Sequence, residues 1–326
     1  MQNNNPAQLW ENTRNTVQRI REQTARVIVG QDDVVELMLA ALLCKGHCLI
    51  VGVPGLAKTL LVSTLGRILG LKFHRIQFTP DLMPTDIVGS EILQTSASGR
   101  GFEFAPGPIF ANLILADEIN RTPPKTQAAL LEAMQEKQVT VAGKTRRLEE
   151  PFLVFATQNP IEHEGTYPLP EAQLDRFFFE LRIDYPSMDE ELAVLDRTTG
   201  ATQPEPDTVL DAPALLALQA TVHDVPLPDN VKKSILKLTH SSRPQDALAD
   251  DYVKKYVSWG AGPRASQTLV RAARALALLR GRDSASIEEV KVVAPAVLRH
   301  RIIPNYNATG EGVTVEDIVG HLLAKL

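Results

Sequence analysis

The chain has 326 residues, of which 44% are hydrophobic and 22% are charged, and its formal net charge is −5. This balance indicates a soluble, globular protein of about two domains. Residues 1–186 carry 18 basic and 21 acidic side chains and residues 187–326 carry 16 and 18, so neither part has the basic excess of a tight nucleic-acid binder.

The sequence gives no sign of export or of a membrane span. Its amino terminus is polar, unlike a signal peptide, and no apolar run reaches about 18 residues. We interpret the two cysteines, Cys44 and Cys48, as small buried hydrophobic side chains in a reducing compartment. We therefore expect a cytoplasmic protein without a membrane span.

Helices and short apolar runs alternate in the first part of the chain. Residues 7–28 are predicted to form a helix, and Asp32 and Asp33 suit the start of a second helix. The apolar runs that predict strands are 47–51, 73–78, 112–117, 152–157 and 177–183. Three of these runs are nearly continuous, which is typical of strands buried on both faces. The alternation predicts an α/β fold with a parallel sheet of five strands between helices.

Two insertions interrupt this alternation. Residues 79–110 contain two probable short strands, residues 86–93 and 101–107, around a glycine-serine turn. Residues 138–152 predict a second hairpin with a basic turn. The basic residues are Lys144, Arg146 and Arg147. We consider substrate or partner contact and an ordinary solvated surface as open readings of both insertions.

The pattern changes after Pro186. Residues 200–213 carry three prolines and several acids, as an exposed connector does. The apolar spacing beyond them is helical, for instance at Leu269, Leu276 and Leu279. We predict an α/β domain over residues 1–186 and a connector with a smaller all-helical domain over residues 187–326.

Residues 52–59, GVPGLAKT, resemble a phosphate-binding loop. The pattern for such a loop is G-x-x-x-x-G-K-[ST], and the strand before the segment and the helix after it supply the required context. Backbone N–H groups hold phosphates in this loop, while Lys58 would reach the β and γ phosphates and Thr59 would bind Mg²⁺. The competing reading is a glycine-proline turn with a chance lysine.

The residue before the lysine is Ala57, where the pattern has glycine. Because this position joins the loop to the helix, we predict a negative φ that alanine accepts without strain. We also predict that Gly55 takes a positive φ, that the Ala57 methyl points away from the phosphates, and that the Ala57 N–H faces them.

An acidic pair ends the third apolar run. Asp117 would hold Mg²⁺, usually through water, and Glu118 is suited to polarise an attacking water. Acids at a strand end are also commonly just solvated. The phosphate-loop pattern upstream favours the catalytic reading.

Several short motifs together resemble the MoxR family of AAA+ ATPases. They are VGQ (29–31), GVPGLAKT (52–59), ADEINR (116–121), ATQNP (156–160), LPEAQLDRF (169–177) and GPRAS (262–266). The resemblance implies an AAA+ domain with a helical lid, ATP and Mg²⁺ as ligands, and a hexameric homo-oligomer. It also implies chaperone-like maturation of partner protein complexes, including cofactor or metal insertion, often with a von Willebrand factor A domain protein.

The resemblance also assigns residue roles. Asn159 resembles the sensor 1 residue and Arg176 the arginine finger that enters a neighbouring subunit's site. Arg121 resembles a second contact between subunits, with a structural salt bridge as the alternative. Val29 and Gly30 resemble the backbone that lines an adenine pocket, with a β-turn as the alternative. The expected nucleotide-binding loop consists of Gly52, Val53, Pro54, Gly55, Leu56, Ala57, Lys58, Thr59 and Leu60.

Arg264 has an independent physical argument. Pro263 suits the first position of a helix, and an arginine in the first turn is unfavourable against the helix dipole. A nearby anion would relieve this conflict. The resemblance identifies Arg264 as sensor 2, and packing against an acidic side chain is the alternative.

Other functions stay open at this point. His163 lies between two glutamates but lacks a second pair of ligands at metal spacing. A metal-chelatase motor subunit is a related reading, and a DNA-directed motor would draw on the basic hairpin. A non-enzymatic nucleotide-gated scaffold would require loss of Glu118 or Asn159, and both residues are present.

Overall fold

The computed structural model of the protein describes residues 6–96, 99–161, 165–199 and 204–326. The helices are α1 (Pro6–Val27), α2 (Asp32–Leu43), α3 (Lys58–Ile68), α4 (Pro84–Val88), α5 (Pro124–Glu136), α6 (Glu171–Leu174), α7 (Met188–Thr198), α8 (Ala212–Thr221), α9 (Asp229–Ser241), α10 (Asp251–Tyr256), α11 (Pro263–Leu279), α12 (Ile287–Leu298), α13 (Tyr306–Glu311) and α14 (Val315–Leu323). The strands are β1 (Cys48–Val51), β2 (Phe73–Gln77), β3 (Gly89–Ser96), β4 (Gly99–Pro106), β5 (Leu113–Asp117), β6 (Gln138–Val141), β7 (Lys144–Arg147), β8 (Leu153–Gln158), β9 (Phe179–Arg182), β10 (Val257–Trp259) and β11 (Ile303–Pro304). Short 3-10 helices cover Ile119–Arg121 and Val222–Asp224.

The central sheet is parallel and has five strands in the order β2-β5-β8-β1-β9. Each of the five apolar runs supplies one of these strands, so the predicted α/β fold is confirmed. Strand β5 is buried along its whole length, because helices cover both faces of the sheet. Because the strands are parallel, their carboxyl-terminal ends all lie along one border of the sheet, which we call the carboxyl edge. The opposite edge is the amino edge.

The two faces of the sheet belong to two different cores. Ile50 of β1 and Phe155 of β8 lie in a core that also contains Leu276 of α11. The preceding residue of β8, Val154, points to the other face and packs in a second core with Leu130 of α5. The first core is continuous from the sheet into the helices that follow α7.

The chain after β9 is helical, as predicted, apart from the short antiparallel pair of β10 and β11. These strands have three and two residues. Runs this short have no periodicity that a sequence reading can detect. The boundary near residue 187 falls between β9 and α7 and stays a prediction. Within the described residues, no helix is long and apolar enough to cross a membrane.

The first insertion is a helical turn followed by a hairpin. Residues 86–88, which we predicted as strand, instead belong to α4. Pro84 occupies the first turn of this helix, and the Asp86 carboxylate accepts a hydrogen bond from the Met83 N–H at 2.8 Å. Strands β3 and β4 then pair antiparallel, and the centre of the predicted turn lies outside the described residues.

The second insertion is the predicted hairpin of β6 and β7. Its turn is formed by Ala142 and Gly143, which both have positive φ. Lys144, Arg146 and Arg147 therefore lie on β7 and not in the turn, contrary to our expectation. Both native cysteines are unpaired and buried, in agreement with the sequence analysis.

Candidate active site

The carboxyl edge of the sheet brings three of the predicted motifs together. The phosphate-loop segment follows β1 directly, Asp117 ends β5, and Asn159 follows β8. These three strands are neighbours in the order β5-β8-β1. The charges of Asp117 and Glu118 act on the Lys58 ammonium, so the loop lysine lies near the acidic pair.

The loop is fixed at both of its ends. The Gly52 N–H donates to the Gln158 carbonyl at 3.3 Å, and Leu56 is buried in the first core. Gly55 has a φ of 86°, as predicted, and no atom lies within 4 Å of the place its Cβ would take. Thr59 and Leu60 continue the segment as the first turn of α3, which begins at Lys58. The loop therefore leaves open space above its backbone.

The prediction for Ala57 is wrong. Its φ is 53° and its ψ is 23°, which is the left-handed conformation and not a helical one. The Ala57 carbonyl already accepts the first helical bond, from the Leu61 N–H at 2.9 Å. The backbone must turn sharply between the loop and α3, and the left-handed conformation provides this turn, which explains why the general pattern has glycine here.

Lys58 is held inside the loop that it follows. Its ammonium group donates to the carbonyl oxygens of Gly52 and, at 3.2 Å, of Val53. Partial burial lowers the pKa of Lys58, and the charges of Asp117 and Glu118 oppose this shift. A phosphate group at the loop would offer the lysine a full negative charge in place of two neutral carbonyls.

Asp117 is almost fully buried and is bonded on both oxygens. The Arg75 guanidinium donates to its Oδ2 through Nε at 3.0 Å and Nη2 at 2.6 Å. The Thr157 hydroxyl donates to its Oδ1 at 2.6 Å. The carboxylate is thus oriented toward the site, and its charge is balanced by an arginine of the edge strand β2.

Glu118 is held by a second set of donors. Gln77 Nε2 and Arg121 Nη1 each donate to Glu118 Oε2 at 2.9 Å. The Glu118 N–H donates to the Thr157 hydroxyl at 2.8 Å, and its φ of 58° turns the chain out of the strand. The structural salt bridge that we kept as an alternative for Arg121 is present, and its partner is Glu118.

Three of these residues were missed by the sequence analysis, namely Arg75, Gln77 and Thr157. Arg75 and Gln77 lie two apart on β2, on either side of the buried Ile76, and Arg75 Nη2 also donates to Gln77 Oε1 at 2.5 Å. Polar residues at alternate positions of an edge strand are a usable signal. Only the strand order, however, shows that β2 lies beside the strand that ends in Asp117.

Asn159 is buried, with 5% of its surface exposed. Its Oδ1 accepts a hydrogen bond from the Ile161 N–H at 3.2 Å, which belongs to the turn after β8. Its Nδ2 has no hydrogen-bond partner among the described residues. A buried donor without a partner is costly, so this amide is ready to donate to a ligand at the site.

Val29 and Gly30 lie on the side of the loop where α7 begins. Gly30 has a φ of 65°, and a Cβ at this position would lie 2.1 Å from Glu190 Oε1. The positive φ favours glycine here, and a side chain at this position would require the Glu190 side chain in the first turn of α7 to shift. The chain bends at Gly30, and both the adenine-lining role and the β-turn that was our alternative stay predictions.

Arg176 and Arg264 lie away from these residues, at the amino edge. Both line a groove of about 670 Å³ that is bounded by Lys45, Gly46 and His47, the residues immediately before β1. The phosphate loop immediately follows β1, and a strand of four residues spans about 13 Å. Within one chain, the two arginines and the loop are therefore at opposite ends of the strand.

Arg264 is in the first turn of α11, and Pro263 is the first residue of that helix, as predicted. The Arg264 Nη1 lies 3.9 Å from Asp175 Oδ2. The anion that we expected near this arginine is thus a carboxylate of the same chain, which was our alternative reading. The side chain is about half exposed.

The residues at the carboxyl edge fit a nucleotide with Mg²⁺. The Thr59 hydroxyl and the Asp117 carboxylate offer the oxygen ligands that Mg²⁺ prefers. The open space above Gly55 and the unpartnered Nδ2 of Asn159 suit phosphate oxygens. Thr59 and Asp117 would hold the metal, and Arg75 now provides the positive charge at Asp117.

The basic hairpin offers little support for a DNA-directed motor. Lys144 pairs with Glu91 of β3 at 3.2 Å, and the Arg146 guanidinium lies 3.6 Å from the centre of the Phe104 ring. Two of the three cations are therefore engaged by the first insertion. His163 lies outside the described residues.

Comparisons with known proteins agree with this arrangement. A family model described as the ATPase family associated with various cellular activities (AAA) matches residues 47–179, and an AAA lid domain model matches residues 249–322. The chaperone MoxR1 of Mycobacterium tuberculosis is 47% identical, with 94% of this chain and 81% of that protein covered. Protein MoxR of Paracoccus denitrificans is 32% identical, with 88% and 89% covered. A crystal structure from Cytophaga hutchinsonii, described as a candidate ATPase, has a TM-score of 0.92 at 40% identity and covers 98% of this chain and 97% of its own.

Proposed function

Because this chain belongs to the MoxR family of AAA+ ATPases, we propose that it binds ATP and hydrolyses it to ADP and phosphate. One observation carries the proposal. Lys58, the pair of Asp117 and Glu118, and the unpartnered amide of Asn159 lie at one edge of the sheet. This arrangement provides a phosphate cradle, a metal ligand, a base and a water-positioning donor in one place.

Each residue has a defined task in this reaction. The loop N–H groups and the Lys58 ammonium bind the phosphates, so Lys58 exchanges its contacts with Gly52 and Val53 for phosphate oxygens. Glu118, held by Gln77 and Arg121, accepts a proton from the attacking water. Asn159 Nδ2 orients this water or the terminal phosphate. Thr59 and Asp117 would hold Mg²⁺, which would neutralise charge on the phosphates.

We propose that Arg176 and Arg264 complete the site of a neighbouring subunit. They are separated from their own phosphate loop by the length of β1, and both project from an exposed surface. A guanidinium suits the charge that develops on a transferred phosphoryl group. The active form is therefore a homo-oligomer, for which we propose the hexameric ring expected of the family.

We further propose that the ring remodels or matures partner protein complexes in the cytoplasm, including by metal or cofactor insertion. The name of the relative from M. tuberculosis, a chaperone, supports this reading. The buried unpaired cysteines suit a reducing compartment. A protein with a von Willebrand factor A domain is the partner that the family resemblance implies.

Two substitutions test the nucleotide site. Lys58→Ala should abolish ATP binding, whereas Lys125→Ala, on an exposed part of α5, should leave it unchanged. Glu118→Gln should keep ATP binding and lose at least about 100-fold in turnover, the usual contribution of a catalytic base. Direct measurements of nucleotide affinity and phosphate release separate the two effects. Normal turnover in either variant would refute the assigned role.

Mixing inactive subunits tests whether the site is shared. Arg176→Ala should assemble but lose about 1,000-fold or more in turnover, as arginine fingers do. Mixing it with Lys58→Ala subunits should restore part of the activity, because some interfaces then pair an intact loop with an intact arginine. Absence of rescue at every mixing ratio would show that the site is complete within one chain.

A further inference from the structure

Helix α7 leaves an apolar side unpacked. All eleven of its residues are described, and none of them is buried. Met188, Leu192 and Leu195 are 89%, 59% and 51% exposed. Because they are spaced by four and three residues, they lie on one side of the helix. A continuous exposed apolar surface of this kind marks an interaction site.

The other side of α7 fixes its position near the phosphate loop. Arg197 donates to the carbonyl oxygens of Ala25 at 2.6 Å and Ile28 at 3.3 Å, near the end of α1. Glu190, in the first turn of α7, lies against Gly30. The helix is therefore anchored on the loop side of the molecule, and its apolar side faces solvent in a defined direction.

The amino-edge groove has the complementary properties. Its walls include Phe178 before β9, Ile235 and Leu236 of α9, and Val270 of α11. Leu236 is 50% exposed in the groove although its neighbour Ile235 is buried. An apolar depression of this size between helices accommodates one face of an amphipathic helix.

The charges on the two surfaces have opposite signs. The exposed acids Asp189, Glu191 and Asp196 flank the apolar side of α7. Arg176, Lys232 and Arg264, also exposed, stand on the rim of the groove. This complementarity favours the pairing of the helix with the groove and disfavours pairing of either surface with itself.

We propose that α7 of one copy of this chain docks into the amino-edge groove of the next copy. A chain cannot fill its own groove, because α7 is anchored at the loop side and the groove lies beyond the opposite end of β1. Donor and acceptor surfaces differ, so the contact is head-to-tail, which is the type of contact from which rings are built. The docking brings Arg176 and Arg264 to the neighbour's phosphate loop, and in this respect it rests on the proposed function.

Engineered cysteines test the contact directly. The native thiols do not interfere, because burial raises the pKa of Cys44 to about 12 and also raises that of Cys48. Leu192→Cys and Leu236→Cys are introduced into separate Glu118→Gln chains, which are mixed with ATP and treated with a short bifunctional thiol reagent. We expect a cross-linked dimer that contains one chain of each kind.

Leu248→Cys provides the matched control, because Leu248 is 52% exposed and lies outside the groove. Its mixture with Leu192→Cys should give no cross-linked dimer. Equal yields from both mixtures, or no product from the Leu236→Cys mixture, would overturn the proposal.

A charge substitution gives a second, independent measurement. Leu192→Glu should lower the assembled fraction and the turnover by about tenfold or more, because the docked side would bury a carboxylate. Leu248→Glu should change neither. If Leu192→Glu protein still assembles and hydrolyses ATP, the docking is wrong while the ring ATPase stands. If the wild-type protein assembles but does not hydrolyse ATP, and the cross-link forms, the docking stands and the proposed function fails.

Discussion

Ala57 holds a methyl group where the backbone geometry favours glycine. Its left-handed φ of 53° costs an L-residue about 1–2 kcal/mol, whereas glycine adopts this conformation without strain. The side chain is exposed, so no packing interaction compensates the strain.

Ala57→Gly should therefore raise the free energy of unfolding by about 0.5–1 kcal/mol, after the greater freedom of glycine in the unfolded chain is subtracted. Denaturant unfolding measures this difference. Ala128→Gly, in an exposed interior position of α5, is the control of opposite sign and should lose about 1 kcal/mol. A loss of stability in Ala57→Gly would contradict the left-handed conformation.

The Arg75 guanidinium donates a hydrogen bond to the Asp117 carboxylate, which we assign as a ligand of Mg²⁺. Arg75→Gln should lower the free energy of unfolding of the nucleotide-free protein by about 1–2 kcal/mol, because a nearly buried carboxylate loses its charged donor. It should also lower the Mg²⁺ concentration needed for half-maximal nucleotide binding. Arg67→Gln, at an exposed ion pair of α3, should change neither value. A higher Mg²⁺ requirement would mean that Arg75 assists the metal site.

His47 adds a pH-dependent contribution. Its Nδ1 accepts the Val154 N–H at 3.0 Å, so Nε2 carries the proton and donates to the Met134 carbonyl. Burial, with a smaller effect of Lys137, lowers the pKa of His47 to about 4. Because the folded pKa lies below the unfolded value of about 6.5, stability is complete above pH 6.5 and is lost as the pH falls toward 4.

The free energy of unfolding should fall between pH 7 and pH 4, and this fall should be about 3 kcal/mol smaller in His47→Gln than in the wild-type protein. Unfolding at the two pH values measures the difference. His300, also buried and with a lowered pKa, keeps part of the slope in the variant. Substitution of the exposed His223 by Gln should leave the whole slope in place. An unchanged slope in His47→Gln would show that the folded protein accommodates a charged imidazole here.

At the scale of elements, the two hairpin insertions support each other. Phe104 of β4 contacts Arg146 of β7 through its ring face and packs edge to face with Phe110, at 5.5 Å between ring centres. Lys144 of β7 pairs with Glu91 of β3. The two hairpins therefore pack against each other as one unit.

Arg146→Ala should lower the free energy of unfolding by about 1–2 kcal/mol, because it removes a stacked cation together with its buried stem. Arg147→Ala is the matched control on the same strand, where the side chain is exposed, and should stay within about 0.5 kcal/mol. Hydrogen exchange in β3 and β4 should become faster only in the first variant. Equal behaviour of both variants would show that the Arg146–Phe104 contact does not hold the two hairpins together.

The sequence predicts elements well where burial determines composition. The run at residues 112–117 reads as a strand because β5 is buried on both faces and needs apolar residues throughout. The helical start at Pro84 and the pair of β10 and β11 were not predicted, because they depend on a few capping and pairing contacts.

The residues of the candidate site follow the same rule. Lys58 and Asp117 stand in recognisable motifs. Arg75 reaches Asp117 only because β2 lies beside β5, and this strand order is visible only in the folded chain.

On the scale of the whole molecule, Arg301 joins the helical part to the sheet. It is buried and donates to Asp175 Oδ1 at 2.7 Å and to the carbonyl oxygens of Phe177 and Val297, each at 2.6 Å. Asp175 and Phe177 flank Arg176 in the sequence, so Arg301 also fixes the backbone at Arg176.

Arg301→Met should lower the free energy of unfolding by about 3–5 kcal/mol, because it leaves Asp175 and buried carbonyls without their donor. Turnover should fall further than nucleotide affinity, since the phosphate loop is distant and Arg176 is displaced. Lys237→Met, on an exposed face of α9, is the control for both assays. If folded Arg301→Met protein keeps full turnover, Arg301 does not position Arg176.

The continuous core of the sheet and the helical part has a mechanical consequence. Ile50 and Leu276 pack in the same buried cluster, so a hinge between the two parts would have to open that cluster to water. We therefore expect the sheet and the helical part of one chain to move together, so that the phosphate loop and the amino-edge groove keep a fixed separation. Within an assembly, we expect relative movement to occur mainly at the contacts between chains.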